Sequence, residues 1–398
     1  MEERGINAKI GVEEQTMKLK PKLTIAEFFS DIDDPRIERS KLHKLTDIIT
    51  IAICAVICGA DTWEDIEIFG DAKYKWFKQF LELENGIPSH DTFARVFSRI
   101  DSKQFQQCFF KWVKSVNKLT DGELISIDGK TLRHSFDNKN EKAAIHMVSA
   151  WMASQRLVLG QVKVTEKSNE ITAIPELLNI LFLKGCIVTI DAMGCQKDIV
   201  KKIVEKEADY IITLKKNQSS LYERVEELFK EAITKKYEGF EYSKLRASER
   251  FHGRNETRYA IILSNIKELI DPENKWDNLY SVGMIDSMRT DETNGKTTLE
   301  TRYFISSLTN DAELFSQSVR GHWNIENQLN WVLDIAFNED DSRIRKDNAP
   351  ENFAVLRQIA LNLLNQEKTL KKGVKRKRNK AGWDNDYLEK ILAGIFTV

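Results

Sequence analysis

Three acidic residues stand where a phosphate-handling metal site would need them. Asp128 ends the apolar run Leu124-Ile125-Ser126-Ile127 and is followed by Gly129-Lys130-Thr131. Asp191 ends a second run, Ile187-Val188-Thr189-Ile190, and is followed by Ala192-Met193-Gly194. Glu326 lies in His322-Trp323-Asn324-Ile325-Glu326-Asn327, inside a stretch of helical periodicity. A carboxylate at the tip of a buried strand is costly unless something neutralises it, and a divalent cation does so through hard oxygen ligands. Two such strands and a helix could hold two Mg²⁺ ions about 3.5–4 Å apart, clamping a phosphate between nucleophile and leaving group. Either aspartate alone reads as a turn residue. Their pairing after two β-type runs is what points to a site.

The elements that must position them can be read from periodicity. After Gly122, short apolar runs predict strands at 124–128, 144–150 and 157–164, a helix at 172–183, a strand at 187–191, a helix at 197–206 and a strand at 210–214. That β-β-β-α-β-α-β order sets both aspartates at the carboxyl ends of strands in a mixed sheet, where ligands gather. Residues 217–309 read as β-rich, with strands at 259–263, 279–285 and 301–306, and so as an insertion before Glu326. Helix returns from Asp311, a cap, to about 337. Within it His322, Glu326 and Asn330 are spaced i, i+4, i+8 along one stripe. Leu314, Ile325, Leu329 and Val332 form a separate apolar face. Upstream, residues 1–22 read as a polar, flexible arm and residues 23–120 as helical. A buried helix is expected at 45–54, an amphipathic stretch from Trp63, and a helix opened by Ser89 as N-cap. This last helix carries Arg95 and Arg99 and reads equally as a recognition helix or a packing helix.

At 398 residues the chain has room for two or three domains. No apolar run approaches the ~20 residues of a membrane helix, and the start does not resemble a secretion signal. Five cysteines without zinc-like pairing fit a reducing cytoplasm, and Cys54 and Cys58 read as core residues. A net charge of −1 excludes a polycation, so nucleic-acid binding would need local basic clusters. Residues 368–380 form one, with Lys375, Arg376, Lys377 and Arg378 at its centre; it reads as a solvated loop or as a segment tracking phosphates. Lys215-Lys216-Asn217-Gln218 leaves the last core strand near Asp191. His252, Arg254, Glu256 and Arg258 alternate onto one side of an extended segment, and Arg343, Arg345 and Lys346 follow the Glu326 helix. Arginine there suits bidentate contact with phosphate. Both GKT triplets lack the glycine of a phosphate loop, since Leu124 and Thr290 stand in its place, so no nucleotide cofactor is expected. With no HExxH, paired CxxC or GxSxG, zinc and serine hydrolases lack their residues.

An ordered set of motifs then makes the chain recognisable: Ile127-Asp128-Gly129-Lys130, Ile190-Asp191-Ala192, Leu214-Lys215-Lys216-Asn217-Gln218, His252-Gly253-Arg254, His322-Trp323-Asn324-Ile325-Glu326-Asn327, Leu333-Asp334, Phe337-Asn338-Glu339-Asp340 and Leu356-Arg357-Gln358-Ile359-Ala360-Leu361-Asn362. It resembles the DDE transposases of bacterial insertion sequences, in the H-repeat-associated branch. The resemblance implies an α/β fold with an RNase H-like mixed sheet (121–216 and 310–366) interrupted by the β-rich insertion (217–309). A helical N-terminal domain (23–120) would take part in DNA-end recognition, and a basic segment (367–398) would close the chain. It implies Asp128, Asp191 and Glu326 as the catalytic triad, with Mg²⁺ or Mn²⁺, two ions per site, and Asp128 shared between them. Lys130, Lys215, Asn217, Gln218, His252, Arg254, Arg258, His322, Arg343, Arg345 and the basic run at 375–378 are expected at DNA. Double-stranded DNA (terminal inverted repeats and target) and a homodimeric synaptic complex are the implied partners, in the cytoplasm at the nucleoid. Three positions depart from the wider superfamily, where Tyr, Arg and Lys surround the catalytic Glu: Val319, His322 and Leu333 stand there. Asn330 also replaces a His common in close relatives. A domesticated transposase that binds without cutting, and a metal-dependent nuclease or resolvase, are the competing readings.

Overall fold

Among the described residues, four helices of ten or more residues precede the sheet: α1 (Leu45–Ile57), α2 (Trp63–Ala72), α3 (His90–Arg99) and α4 (Ser102–Val116). The computed structural model describes residues 27–117, 120–136, 143–164, 169–251, 254–292 and 295–393, so the arm at 1–22 lies outside the described residues. α1 is apolar around its whole circumference and is buried from Asp47 to Ile57, Cys54 included, as such a helix must be. α2 opens with a capping box, Thr62 accepting from the Asp65 N–H while Asp65 accepts from that of Thr62. α3 starts after Ser89 as predicted, but the Ser89 hydroxyl meets Thr92 Oγ1 at 3.2 Å instead of a backbone N–H. It buries Phe93, Val96 and Phe97 and leaves Arg95 and Arg99 exposed, so it packs on one face and is basic on the other.

The strands are β1 (Leu124–Thr131), β2 (His146–Met152), β3 (Leu157–Lys163), β4 (Ile187–Ile190), β5 (Asp209–Leu214), β6 (Glu241–Phe251), β7 (Arg254–Ser264), β8 (Ser281–Asp291) and β9 (Thr297–Ser306). One mixed sheet takes all of them in the order β3-β2-β1-β4-β5-β9-β8-β7-β6. The expected β-β-β-α-β-α-β order is present, with α5 (Glu170–Ile180) and α6 (Lys197–Glu205) joining the parallel strands β1, β4 and β5. β4 is buried at every position, which explains why all its residues but Thr189 are apolar. Asp128, however, is not at a strand tip. β1 continues to Thr131 because its antiparallel pairing with β2 does, whereas its parallel pairing with β4 stops at Ile127–Ile190.

Residues 217–309 are β-rich but open with a helix that was not expected, α7 (Ser219–Thr234). Its buried positions Leu221, Val225, Leu228, Phe229 and Ala232 follow helical spacing. β6 was also unforeseen, being an edge strand of mostly polar residues. Nor is the block a separate sheet, since β9 pairs antiparallel with β5 through Leu214–Tyr303. Asp311 caps α8 (Ala312–Asn324), accepting from the N–H groups of Glu313 (2.9 Å) and Leu314 (3.0 Å). A π-helical turn, Ile325–Asn330, leads into α9 (Trp331–Phe337).

α10 (Ala349–Gln366) follows and is buried along most of its length. Its asparagines are held by backbone: Asn362 accepts from the Val158 N–H (2.8 Å) and donates to the Val158 carbonyl (2.9 Å), pairing the outer edge of β3. One continuous hydrophobic core runs from Phe29 through the sheet to Leu392. The basic stretch is no solvated loop but helix α11 (Val374–Trp383), followed by α12 (Asn385–Ala393). Lys377 and Arg378 are buried, which corrects their expected place at DNA. Lys377 donates to the Leu364 carbonyl (2.8 Å). Arg378 donates to the carbonyls of Val56 and Ala60 at the end of α1, and to Asp61 (2.9 Å). A guanidinium on orphan helix-end carbonyls is favourable for the reason that makes basic residues common at helix C-termini.

Candidate active site

Register sets Asp128 and Asp191 side by side, each one residue past the last β1–β4 pair. Asp191 caps the short turn Ala192–Gly194, its Oδ1 accepting from the Met193 N–H at 3.0 Å. Asn217 and Gln218 brace that same turn. Asn217 Nδ2 donates to the Ala192 carbonyl (2.7 Å) and Gln218 Nε2 to the Cys195 carbonyl (2.8 Å), so their amide donors are spent on positioning Asp191. Burial, then the charge of Glu170, push the Asp191 carboxyl above its ordinary range; exposed Lys215 opposes them.

Glu326 arrives on the opposite side of the cleft. Alternation along β1 turns Ser126, Asp128 and Lys130 to the face covered by α8, the π turn and α9. There Asn330 Nδ2 donates to Asp128 Oδ2 (3.1 Å) and to Glu326 Oε2 (2.9 Å). His322 Nδ1 lies 3.1 Å from Thr189 Oγ1, and Thr189 donates to Ser126 Oγ (3.2 Å). The His322, Glu326, Asn330 stripe therefore faces the cleft, through a π turn of the kind that recurs at functional sites. Burial drives His322 down to about 4, which favours the neutral imidazole over a cation at the cleft wall. Val319 and Leu333, the flanking departures, are buried apolar residues that offer no donor.

Lys130 is corrected as well. Its side chain is only 13% exposed and its ammonium is shared by Asp334, Glu339 (2.9 Å) and the Asn330 carbonyl (3.4 Å). It fastens β1, two residues beyond Asp128, to the helix that carries Glu326, and is unavailable to DNA. One acidic residue was missed. Glu170, the first residue of α5, bonds His146 Nε2 at 2.6 Å, and His146 Nδ1 meets Thr131 Oγ1 at 2.8 Å. A Cβ at position 129 would come within 2.1 Å of Glu170 Oε1, so glycine follows Asp128 to make room for this carboxylate, not to turn the chain. Asn169 and Glu170 signalled a helix start, but no spacing in the sequence tied them to Asp128.

Burial, aided by the charges of Glu170, Glu326 and Asp191, lifts Asp128 to about 6. Among the described residues none of the three carboxylates has a salt-bridge partner. Asp128, Asp191, Glu326, Lys215, His322 and Thr189 line one cavity of about 820 Å³. The donors are hard oxygens of the kind Mg²⁺ and Mn²⁺ take, and their uncompensated charge fits a cation. As placed, no three His, Cys, Asp or Glu side chains among the described residues converge as a closed metal site would require.

The remaining basic residues do not join this cluster by contact. His252 lies outside the described residues, and Arg254 begins β7. Arg258 is ion-paired with Glu249 (3.1 Å) and Glu256 (3.3 Å). Arg345 donates to the His134 carbonyl (2.9 Å) and stacks over Phe136, while Arg343 is exposed beside a groove at the start of α2. Lys375 and Arg376 project from α11 into solvent.

Comparison with known proteins follows the same residues. The family model of the transposase DDE domain matches residues 119–363, and that of a DDE_Tnp_1-associated region matches residues 26–113. YncI of Escherichia coli O157:H7, named a candidate transposase, is 46% identical over 93% of this chain and 94% of its own. H repeat-associated YhhI of Escherichia coli K12, named likewise, is 45% identical over 93% of this chain and 98% of its own. The inactive transposase YbfQ of Escherichia coli K12 is 49% identical over 19% of this chain and 89% of its own. No helix among the described residues is long and apolar enough to cross a membrane.

Proposed function

This chain belongs to the DDE transposase family, in its H-repeat-associated branch, and on that premise we propose that it cuts and joins DNA at the terminal inverted repeats of an insertion sequence, using divalent metal ions. The observation that carries the reading is the meeting of Asp128, Asp191 and Glu326, none of them ion-paired among the described residues, at one cavity. Three antiparallel strands followed by two parallel ones, with the third acid on a later helix, support an RNase H-like core. Mg²⁺ or Mn²⁺, two ions per site, would supply activation of the attacking oxygen and stabilisation of the leaving one. Asp128, Asp191 and Glu326 would hold them.

The rest of the work falls to the chain's own groups. Lys215 at the rim attracts the scissile phosphate by charge, and Asn217 and Gln218 keep the Asp191 turn rigid. Neutral His322 and Thr189 wall the cleft with groups that add no competing positive charge. Preorganised charge in such a partly dry cavity acts more strongly than it would in water. Exposed Lys215, Arg343, Lys375 and Arg376 offer contacts to the DNA backbone, Arg254 and Arg258 stand on the extended sheet, and α3 presents Arg95 and Arg99. Joining two element ends makes a homodimer on double-stranded DNA the natural assembly.

The test is a cleavage and strand-transfer assay on linear DNA carrying the gene's flanking repeats, with and without Mg²⁺. Asp128→Asn, Asp191→Asn and Glu326→Gln should each abolish cutting while DNA binding persists. A variant that still cuts at the wild-type rate removes its residue from the triad. The inactive relative YbfQ favours a second reading, a protein that binds DNA and no longer cuts it. Specific binding by the wild type without any cleavage in Mg²⁺ or Mn²⁺ would establish that reading instead.

A further inference from the structure

We propose that Asn330 is a fourth functional group of the site, turning its amide oxygen towards the bound cation and so setting which divalent ion the site prefers. The inference rests on the metal-dependent reading above and adds a residue to it. Asn330 is only 7% exposed. Its side-chain hydrogen bonds go to the two carboxylates, Asp128 Oδ2 at 3.1 Å and Glu326 Oε2 at 2.9 Å. The structural asparagines of α10 behave otherwise: Asn352 and Asn362 bond main-chain groups, as residues that hold a fold together do.

A donor shared by two carboxylates occupies the place a cation held by both would need. Either the amide is displaced or it turns. Rotation about the Cβ–Cγ bond exchanges Nδ2 for Oδ1 at almost no change in shape, and replaces a donor by an acceptor. With the site empty, the NH₂ relieves repulsion between Asp128 and Glu326. With an ion present, the oxygen becomes a neutral hard ligand and adds no negative charge to an already crowded set of acids. The backbone is arranged for this. Glu326 and Asn330 share the π turn, and Lys130 donates to the Asn330 carbonyl at 3.4 Å, which steadies the main chain that carries the amide.

Isothermal titration of the full-length protein with MgCl₂ and MnCl₂, without DNA, tests the proposal on wild type, Asn330→Ala, Asn330→His and Asp128→Asn. Asn330→Ala should weaken both ions by about tenfold, in the range seen when groups around a metal site are removed. Asn330→His should hold Mn²⁺ within about threefold but weaken Mg²⁺ by about tenfold, because imidazole suits the later metal and a hard oxygen suits Mg²⁺. The histidine variant keeps a nitrogen donor near the carboxylates, so it carries the test if the alanine variant does not fold. An Asn330→Ala protein that binds both ions as tightly as wild type, or more tightly, makes the amide a mere placeholder and overturns the proposal. So does an unchanged Mn²⁺/Mg²⁺ ratio in Asn330→His. If Asp128→Asn also binds like wild type, the metal site itself falls; if it alone loses the ions, only the role of Asn330 does.

Discussion

Taking one negative charge out of the cleft should stabilise the metal-free protein. Burial, together with the charges of Glu170, Glu326 and Asp191, raises Asp128 from 3.8 to about 6. The folded chain thus holds this proton more tightly than the unfolded chain. The resulting stabilisation is complete below pH ~4 and is lost as pH rises through about 6. A rise of roughly two pK units corresponds to about 3 kcal/mol, and partial solvent access brings the realised penalty nearer to about 2 kcal/mol. Asp128→Asn removes that penalty and keeps an oxygen to accept from Asn330. Its new NH₂ needs a partner, an offset of about 1 kcal/mol. In EDTA at pH 8 the variant should therefore be about 1 kcal/mol more stable than wild type, or roughly 1 °C in Tm for a chain of this length. The difference should vanish by about pH 4. Mg²⁺ should reverse the order, since a hundredfold excess over Kd adds about 2.7 kcal/mol to a protein that binds it. Thermal and urea unfolding at pH 4, 6 and 8, with EDTA or Mg²⁺, measure all of this. A variant less stable than wild type at pH 8 in EDTA, or a difference that does not change with pH, would refute the reasoning: Asp128 would not be strained by its neighbours.

Lys130→Met leaves Asp334 and Glu339 facing each other without their cation, and should cost about 3–5 kcal/mol in urea unfolding. A cost under about 1 kcal/mol would return Lys130 to a surface role. Gly129→Ala forces a methyl group against Glu170 and His146 and should cost about 1–3 kcal/mol. Most of that loss should disappear when Glu170→Ala is added; purely additive losses would place the crowding elsewhere. Replacing Lys375 and Arg376 by Glu should leave Tm unchanged and flatten the dependence of DNA affinity on salt by about 2 in log–log slope. Arg378→Met should do the reverse, destabilising the fold by about 3–5 kcal/mol through the loss of its bonds to Asp61 and the end of α1.

Much of the site was legible because its supports are local. A strand covered on both faces is rich in apolar residues, and β4 is apolar except for Thr189, so the run ending before Asp191 could be found by eye. A capped helix declares itself, and Asp311 with the stripe at 322, 326 and 330 put Glu326 on the helix face that lines the cavity. α7 was legible too, in the spacing of Leu221, Val225, Leu228, Phe229 and Ala232, but a β reading of its surroundings obscured it. β6 was not, because an edge strand needs few apolar side chains. The reach of β1 past Asp128 was likewise hidden, since it depends on β2 continuing where β4 stops.

Which side chains can hold a cation, and which segments must be buried, follow from residue type and period alone. Only the tertiary structure decided which ionisable groups are free to act. Lys130, Lys377 and Arg378 look like phosphate contacts along the chain and are buried counter-charges and caps in space. Glu170 carries no signal of the cleft in its own segment and lies against Gly129. The energy of a charge depends on its distance to other charges and on the exclusion of water around it, and neither quantity is encoded in linear spacing.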